Sequence, residues 1–243
     1  MKSTIAAVLV AMASASLNGP ATAEDWQSAI SEKLADGGEM HLALLNNGER
    51  DGFMRLGWQK LEGGKIFLYD RSMLPSGELY ETQEAVLDGS SLYPEWGKVR
   101  LHQAATIGYI DAIFEKDSAT VTRRRVRPGN DDAIREIAHD DLPADLTMRM
   151  SAFVLPLMLS QTAGTSVSFH WYSPLSDQVN PVTLTAREQV VVETPAGSFE
   201  TVRFEIRGPQ PENDIYVTIG DAPKVVRIDV LDQPFQFLAL PDE

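Results

Sequence analysis

Cysteine is absent from all 243 residues, which excludes a disulfide framework, a thiolate metal site, a cysteine nucleophile and a lipid-anchoring cysteine. Positive charge is scarce: 21 Lys and Arg stand against 35 Asp and Glu, a formal net charge of −14. A surface this acidic repels phosphate backbones, so nucleic acid is not an expected partner. The apolar stretch Ile5 to Leu17 is shorter than the ~20 residues needed to span a bilayer as a helix. What is present is substantial. Hydrophobic residues make up 43% of the chain, too many for a disordered protein and enough for one domain, or at most two small ones, with a real core.

The first residues have the three-part pattern of a secretory signal. Lys2 supplies a positive n-region, Ile5 to Met12 a short apolar h-region, and Ala21-Thr22-Ala23 a small-x-small cleavage site. The expectation is a signal peptide over 1–23 and one β-rich domain over 24–243. The exported product would be soluble and not lipidated, have no transmembrane segment after signal removal, and lie most simply in a bacterial periplasm. Without cysteine in an oxidising compartment, its stability would come from burial and hydrogen bonding alone.

Trp26, Ile30 and Leu34 recur at helical spacing before Gly37-Gly38 and predict a short helix. Beyond them the period changes to two. Strands are predicted over 41–45, 52–61, 65–71, 79–87, 99–103, 109–115 and 119–127, separated by turn signals such as Asn46-Asn47-Gly48 and Pro75-Ser76-Gly77. About ten residues per strand and turn is the rhythm of an antiparallel meander or barrel. A polar, acidic stretch, 131–145, follows, with a short helix suggested around Ile134 and Ile137. Leu146 to Gln161 (LTMRMSAFVLPLMLSQ) then carries only Arg149 as a charge and predicts a largely buried helix, with Asp145 as N-cap and Pro156 kinking or dividing it. Strands return over 165–172, 182–187, 189–193, 199–207, 214–219 and 225–231. Thr194-Pro195-Ala196-Gly197 forms a hairpin loop, in which Pro195 fixes φ and Gly197 accepts a positive one.

The run Glu188 to Phe204, with its Pro195-Ala196-Gly197-Ser198-Phe199 hairpin, precedes a strand with Tyr216 and the segment Pro223-Lys224-Val225-Val226-Arg227. This C-terminal half resembles exported bacterial proteins of the DUF3108 type, whose function is unknown. The resemblance is clear over about 155–230 and diffuse over 42–127. It implies a mainly β (α+β) fold, a curved antiparallel sheet forming an open β-barrel or β-roll that encloses one apolar helix. More remotely, that architecture is similar to the periplasmic LolA/LolB/RseB-type carriers and sensors, and architecture does not fix function.

Catalytic signals are weak. His41, His102, His139 and His170 show no metal-ligand spacing, and no HExxH pattern occurs. His139 beside Asp140 and Asp141 reads as a solvated acidic loop ahead of a metal site. No GxSxG elbow or phosphate loop is present, so no catalytic residue, metal or cofactor is assigned and a non-enzymatic protein is expected. Arg123, Arg125 and Arg127 fall on one strand face with Arg124 opposite. They read either as a patch for an anionic headgroup or acidic partner, or as charges that neutralise neighbouring strands and guard an edge.

Aromatic and methionine side chains are the better lead. Trp58, Phe67, Tyr69, Phe169 and Trp171 on strands, with Met148, Met150, Phe153 and Met158 on the greasy segment, form a candidate apolar lining. The functional expectation is non-catalytic binding of an apolar or lipid-like molecule in the cell envelope. The alternatives are an envelope protein-interaction or regulatory module, and a hydrolase whose site the sequence does not display.

Overall fold

A computed structural model of the chain describes residues 33–129, 133–208 and 211–241. The signal segment and the residues Trp26 and Ile30 lie outside these; Leu34 is buried. Alternating apolar residues and short turns fold the first half into a meander: β1 (Gly37–Asn46), β2 (Glu49–Leu61), β3 (Lys65–Leu74), β4 (Leu79–Asp88), β5 (Pro94–Gln103), β6 (Thr106–Phe114), β7 (Ala119–Val126) and β8 (Ala133–His139). The second half contributes β9 (Leu146–Met148), β10 (Ser166–Ser173), β11 (Gln178–Thr194), β12 (Gly197–Arg207), β13 (Asn213–Thr218), β14 (Val225–Val230) and β15 (Phe235–Ala239).

All fifteen strands join one sheet in the order β8-β7-β6-β5-β4-β3-β2-β1-β15-β14-β13-β12-β11-β10-β9. The two halves meet where β1 pairs antiparallel with β15, Leu42 opposite Ala239 and Leu44 opposite Phe237. Every neighbouring pair is antiparallel except β9–β10, where Leu146, Thr147 and Met148 run parallel to His170, Trp171 and Tyr172. The sheet curls without closing its hydrogen-bond ladder. Side chains bridge the remaining gap. Arg123 of β7 donates through Nη1 to the Pro174 carbonyl at 2.6 Å and through Nη2 to that of Leu175 at 2.8 Å, both in the β10–β11 turn. His139 at the end of β8 meets Asp177 in the same turn at 3.0 Å, and Phe114 packs edge-on against Tyr172 at 5.5 Å.

One face of each strand lies inside this curl. Leu42, Leu56, Leu68, Ala85, Val99, Val121, Leu184, Val202 and Ile228 are all essentially inaccessible, as period-two alternation against one core requires. The opposite face of β12–β14 carries charge. Asp214 takes hydrogen bonds from both Arg203 (3.0 Å) and Arg207 (2.6 Å), while Arg227 holds Asp229 at 2.8 Å.

The predicted enclosed helix over 146–161 is corrected. The segment is buried within the sheet, but it starts as strand β9, continues as a 3-10 turn (Arg149–Phe153) and contains only one short helix, α1 (Leu155–Met158). Pairing with β10 captures its first residues. The buried Ser151 hydroxyl then donates to the Met148 carbonyl at 2.6 Å and accepts from Thr147 Oγ1 at 3.1 Å, stabilising a tight turn in place of continuous helix. Pro156 sits in the first turn of α1, where a missing N–H costs nothing, so it starts the helix and does not kink it. Asp145 is no cap; it meets His170 Nδ1 at 2.7 Å. Burial on every side made the sequence pattern helix-like, although periodicity does not separate a buried helix from buried irregular chain.

Three smaller differences follow from pairing. The helix suggested around Ile134 and Ile137 is strand β8, because β7 offers it a complete ladder. The predicted strands 182–187 and 189–193 are one strand, β11, bulged between Ala186 and Gln189. Strand β15 was not predicted at all. The Pro-Ala-Gly hairpin behaves as expected: Gly197 has φ +131°, and the Thr194 hydroxyl accepts from the Ala196 N–H at 3.1 Å. Among the described residues no helix is long and apolar enough to cross a membrane.

Candidate functional site

The nine residues of the candidate lining separate into three groups. Trp58 is buried at one rim, its Nε1 donating to the Ala35 carbonyl at 3.0 Å, beside a cavity of about 220 Å³ that also touches Met40 and Leu157. Met148, Met150, Met158 and Phe169 are buried in the filled interior. Met148 fits there because β5 offers Gly97 opposite it; a Cβ at that glycine would lie 2.5 Å from Met148 Cε. Phe153 and Trp171 line a second cavity of about 230 Å³, together with Met54, Ile228, Phe235 and Phe237. Phe67 and Tyr69 alternate with buried Ile66, Leu68 and Asp70 on β3, which places them on the outer face. There Phe67 approaches Trp96 at 6.3 Å, and Tyr69 donates its hydroxyl to Glu39. The lining is therefore not gathered into one cavity.

The cavity at Phe153 and Trp171 has one charged side chain in its lining, Arg149. Its guanidinium lies 5.6 Å from the Trp171 ring centre, within cation–π range. Burial lowers the Arg149 pKa, and the nearby Glu81 carboxylate opposes that shift. Trp171 itself is fully buried, and its indole N–H has no hydrogen-bond partner among the described residues. Sequence reasoning identified Phe153 and Trp171 but missed Met54, Ile228, Phe235 and Phe237. The last two sit on the unpredicted β15.

Behind Arg149 lies a polar group on the inner faces of β3 and β4. Cross-strand register sets Asp70 opposite Gln83 and Ser72 opposite Glu81. Burial pushes the Asp70 carboxyl up from 3.8 to about 7; the Ser72 hydroxyl, donating at 2.6 Å, pulls the other way, and Glu81 adds to the rise. Glu81 is also raised, by burial first, against a hydrogen bond from Gln83. Neither carboxyl lines either cavity described above.

A third feature occupies the concave side near the free edge. Ala119 and Val121 of β7 face the core, so Arg123 and Arg125 share that face. Register places Arg135 of β8 opposite Arg123, and Ile110 and Gly108 of β6 opposite Arg123 and Arg125. The result is a groove of about 550 Å³ whose lining includes Arg123, Arg124, Arg125, Arg127 and Arg135 over Leu101, Ile110 and Leu175. Residues 130–132 of the β7–β8 connection lie outside the described residues.

Comparison with known proteins gives a structural likeness and no family. No family model matches the chain, and no curated protein matches it in sequence. A solved structure does resemble it. The crystal structure of a β-barrel-like protein of domain of unknown function DUF1849 from Brucella abortus aligns over 84% of this chain and 95% of that one, with 9% identity and a TM-score of 0.48. The DUF3108 resemblance thus gains no matching family, and the open-barrel architecture stands on this chain's own strand pairing.

The histidines are dispersed. His41 meets Glu39 at 2.5 Å, His102 lies edge-on to Tyr80, His139 holds Asp177 and His170 holds Asp145. His139 therefore turns away from the metal role considered for it with Asp140 and Asp141. Among the described residues no group of three or more His, Asp or Glu is placed to hold a metal ion.

Proposed function

We propose that the protein is an exported binding protein of the cell envelope, which receives an apolar or lipid-like group without chemical conversion. The signal-like segment at 1–23 supports export. One observation carries the binding reading: the Phe153–Trp171 cavity has a mostly apolar lining that includes the rings of Phe153, Trp171, Phe235 and Phe237 and a single cation, Arg149, and the Trp171 indole N–H has no partner among the described residues. That chemistry suits an apolar chain ending in a carboxylate. At about 230 Å³ the cavity is below the ~300–1,000 Å³ of whole-ligand pockets, so it would admit one end of an acyl chain and leave the rest outside.

A fluorescent fatty acid titrated into the purified protein tests the reading, together with the native mass of protein isolated from its expression host. Saturable uptake, lost in Phe235→Asp at the half-buried rim, is the expected result. A bare polypeptide mass with no uptake would overturn it. A second reading, docking of a partner strand, is favoured by the free edge β8, where Ile134 is 67% exposed.

A further inference from the structure

We infer that the arginine groove at the free edge is a binding site for a phosphate monoester carried on an apolar body. The inference is independent of the acyl cavity, since the two share no lining residue.

Charge makes the groove exceptional. In a chain of net charge −14, the groove's lining among the described residues includes five arginines and no acidic side chain. Several arginines elsewhere are matched with carboxylates: Arg100 with Asp111 at 2.8 Å, Arg187 with Glu205 at 2.7 Å and Arg227 with Asp229 at 2.8 Å. In the groove Arg123 is committed to the carbonyls of Pro174 and Leu175, and Arg124 lies over the Tyr109 ring at 5.6 Å. Arg125 and Arg135 have no ion pair among the described residues, and both are exposed.

Such an arrangement acts against stability on its own. Like charges opposite one another on neighbouring strands repel, and Arg135 faces Arg123 directly. An edge can be protected from aggregation by one or two cations; converging several on the concave side does not improve that protection. Guanidinium groups present planar, paired donors that match phosphate oxygens. The floor between them is apolar, formed by Leu101 of β5 and Ile110 of β6, with Leu175 of the β10–β11 turn on the far wall and Gly108 leaving the backbone beneath Arg125 bare. Cationic walls over an apolar floor fit an amphiphile with an anionic head. The volume, about 550 Å³, is within the range of small-molecule sites.

The test uses the full-length mature protein and calorimetric titration with three probes: dihexanoyl phosphatidic acid, dihexanoyl phosphatidylcholine and inorganic phosphate. Phosphatidic acid is expected to bind more tightly than the other two. Its affinity should fall about tenfold or more in Arg125→Gln and again in Arg135→Gln, as loss of charge-assisted hydrogen bonds implies. Higher salt should weaken it. Both side chains are exposed and the cluster repels itself, so the variants are expected to melt at or slightly above the wild-type temperature, and uptake of the fatty acid probe should be unchanged in them. Equal binding of the two lipids, unchanged affinity in the double variant, or inorganic phosphate binding as tightly as phosphatidic acid would each overturn the inference. Loss of fatty acid uptake in Phe235→Asp with phosphatidic acid binding intact supports two separate sites.

Discussion

Replacing Asp70 with Asn isolates the energetic effect of burying a carboxyl group in the barrel wall. Asp70 is only 4% exposed and its pKa rises from 3.8 to about 7, chiefly through burial. The native state therefore favours the neutral acid. Stability is undiminished below the unfolded value, falls as pH rises past it, and reaches its full loss above about 7. At ~1.36 kcal/mol per pH unit, the loss has a ceiling of about 4 kcal/mol. Asn keeps an acceptor for the Ser72 hydroxyl, which donates to Asp70 Oδ1 at 2.6 Å, but adds an amide N–H₂ that needs its own partners. An unmet donor costs ~1–3 kcal/mol. The net expectation at pH 8 is a variant more stable than wild type by about 1–3 kcal/mol, and at pH 4 a variant equal or weaker. Urea unfolding at pH 4, 6 and 8 measures this, provided the m-value is constant. Wild type and D70N curves that run parallel across this pH range would refute the assignment of a buried, uncharged Asp70.

Other expectations concern the interior segment and the gap. Leu155→Ala, at a fully buried position in α1, should cost ~2–5 kcal/mol in urea unfolding. Gly97→Ala brings a Cβ to 2.5 Å from Met148 Cε; a cost of ~1–3 kcal/mol is expected, and Met148→Ala should relieve it in a double-mutant cycle. Asp177 behaves oppositely to Asp70. Burial would raise it, but hydrogen bonds from Tyr172 and His139 prevail and lower it below 3.8, so Asp177→Asn should lose stability above pH 4 and little below the depressed value. Arg123→Gln releases β7 from the Pro174 and Leu175 carbonyls; amide hydrogen exchange should rise in β7, β8 and residues 173–177 while the rest of the sheet keeps its protection.

The strands were legible wherever one face met the core and the other met solvent. Thus β2, with Leu56 and Trp58 buried and Arg55 and Gln59 outward, alternates openly. Legibility failed where tertiary pairing decided the conformation. Strand β15 is five residues, Phe235–Ala239, and is fixed between the preceding β14 and β1, which lies at the other end of the sequence. Strand β8 has mostly exposed side chains and hence no hydrophobic period to read; its ladder with β7 defines it. The segment after Leu146 failed for the opposite reason. Nearly every side chain is buried, so the pattern lost its period and resembled an apolar helix, while the Thr147–Ser151–Met148 hydrogen bonds that break it depend on local geometry.

Residue type alone located neither binding feature. Phe67 and Tyr69 are as aromatic as Phe153, yet strand parity sends the first two outward. What distinguishes the arginines is the combination of parity and register. Alternation along β7 gives Arg123 and Arg125 one face, which the sequence shows directly. That this face is the concave one follows from Val121 being buried on it. Arg135 joins them only because β8 is a strand in antiparallel register with β7; were residues 133–139 a helix, its guanidinium would have no fixed place beside them. Arg123 has a separate part, since its two bonds to the β10–β11 turn hold the groove's far wall, where Leu175 stands. Losing Arg123 should therefore weaken phosphate-ester binding through displacement of that wall as well as through charge. Arg123→Lys separates the two effects. A lysine keeps the cation but lacks the planar fork that spans two carbonyls, so binding in this variant should fall toward that of Arg123→Gln. Wild-type affinity in Arg123→Lys would instead show that charge alone governs the groove.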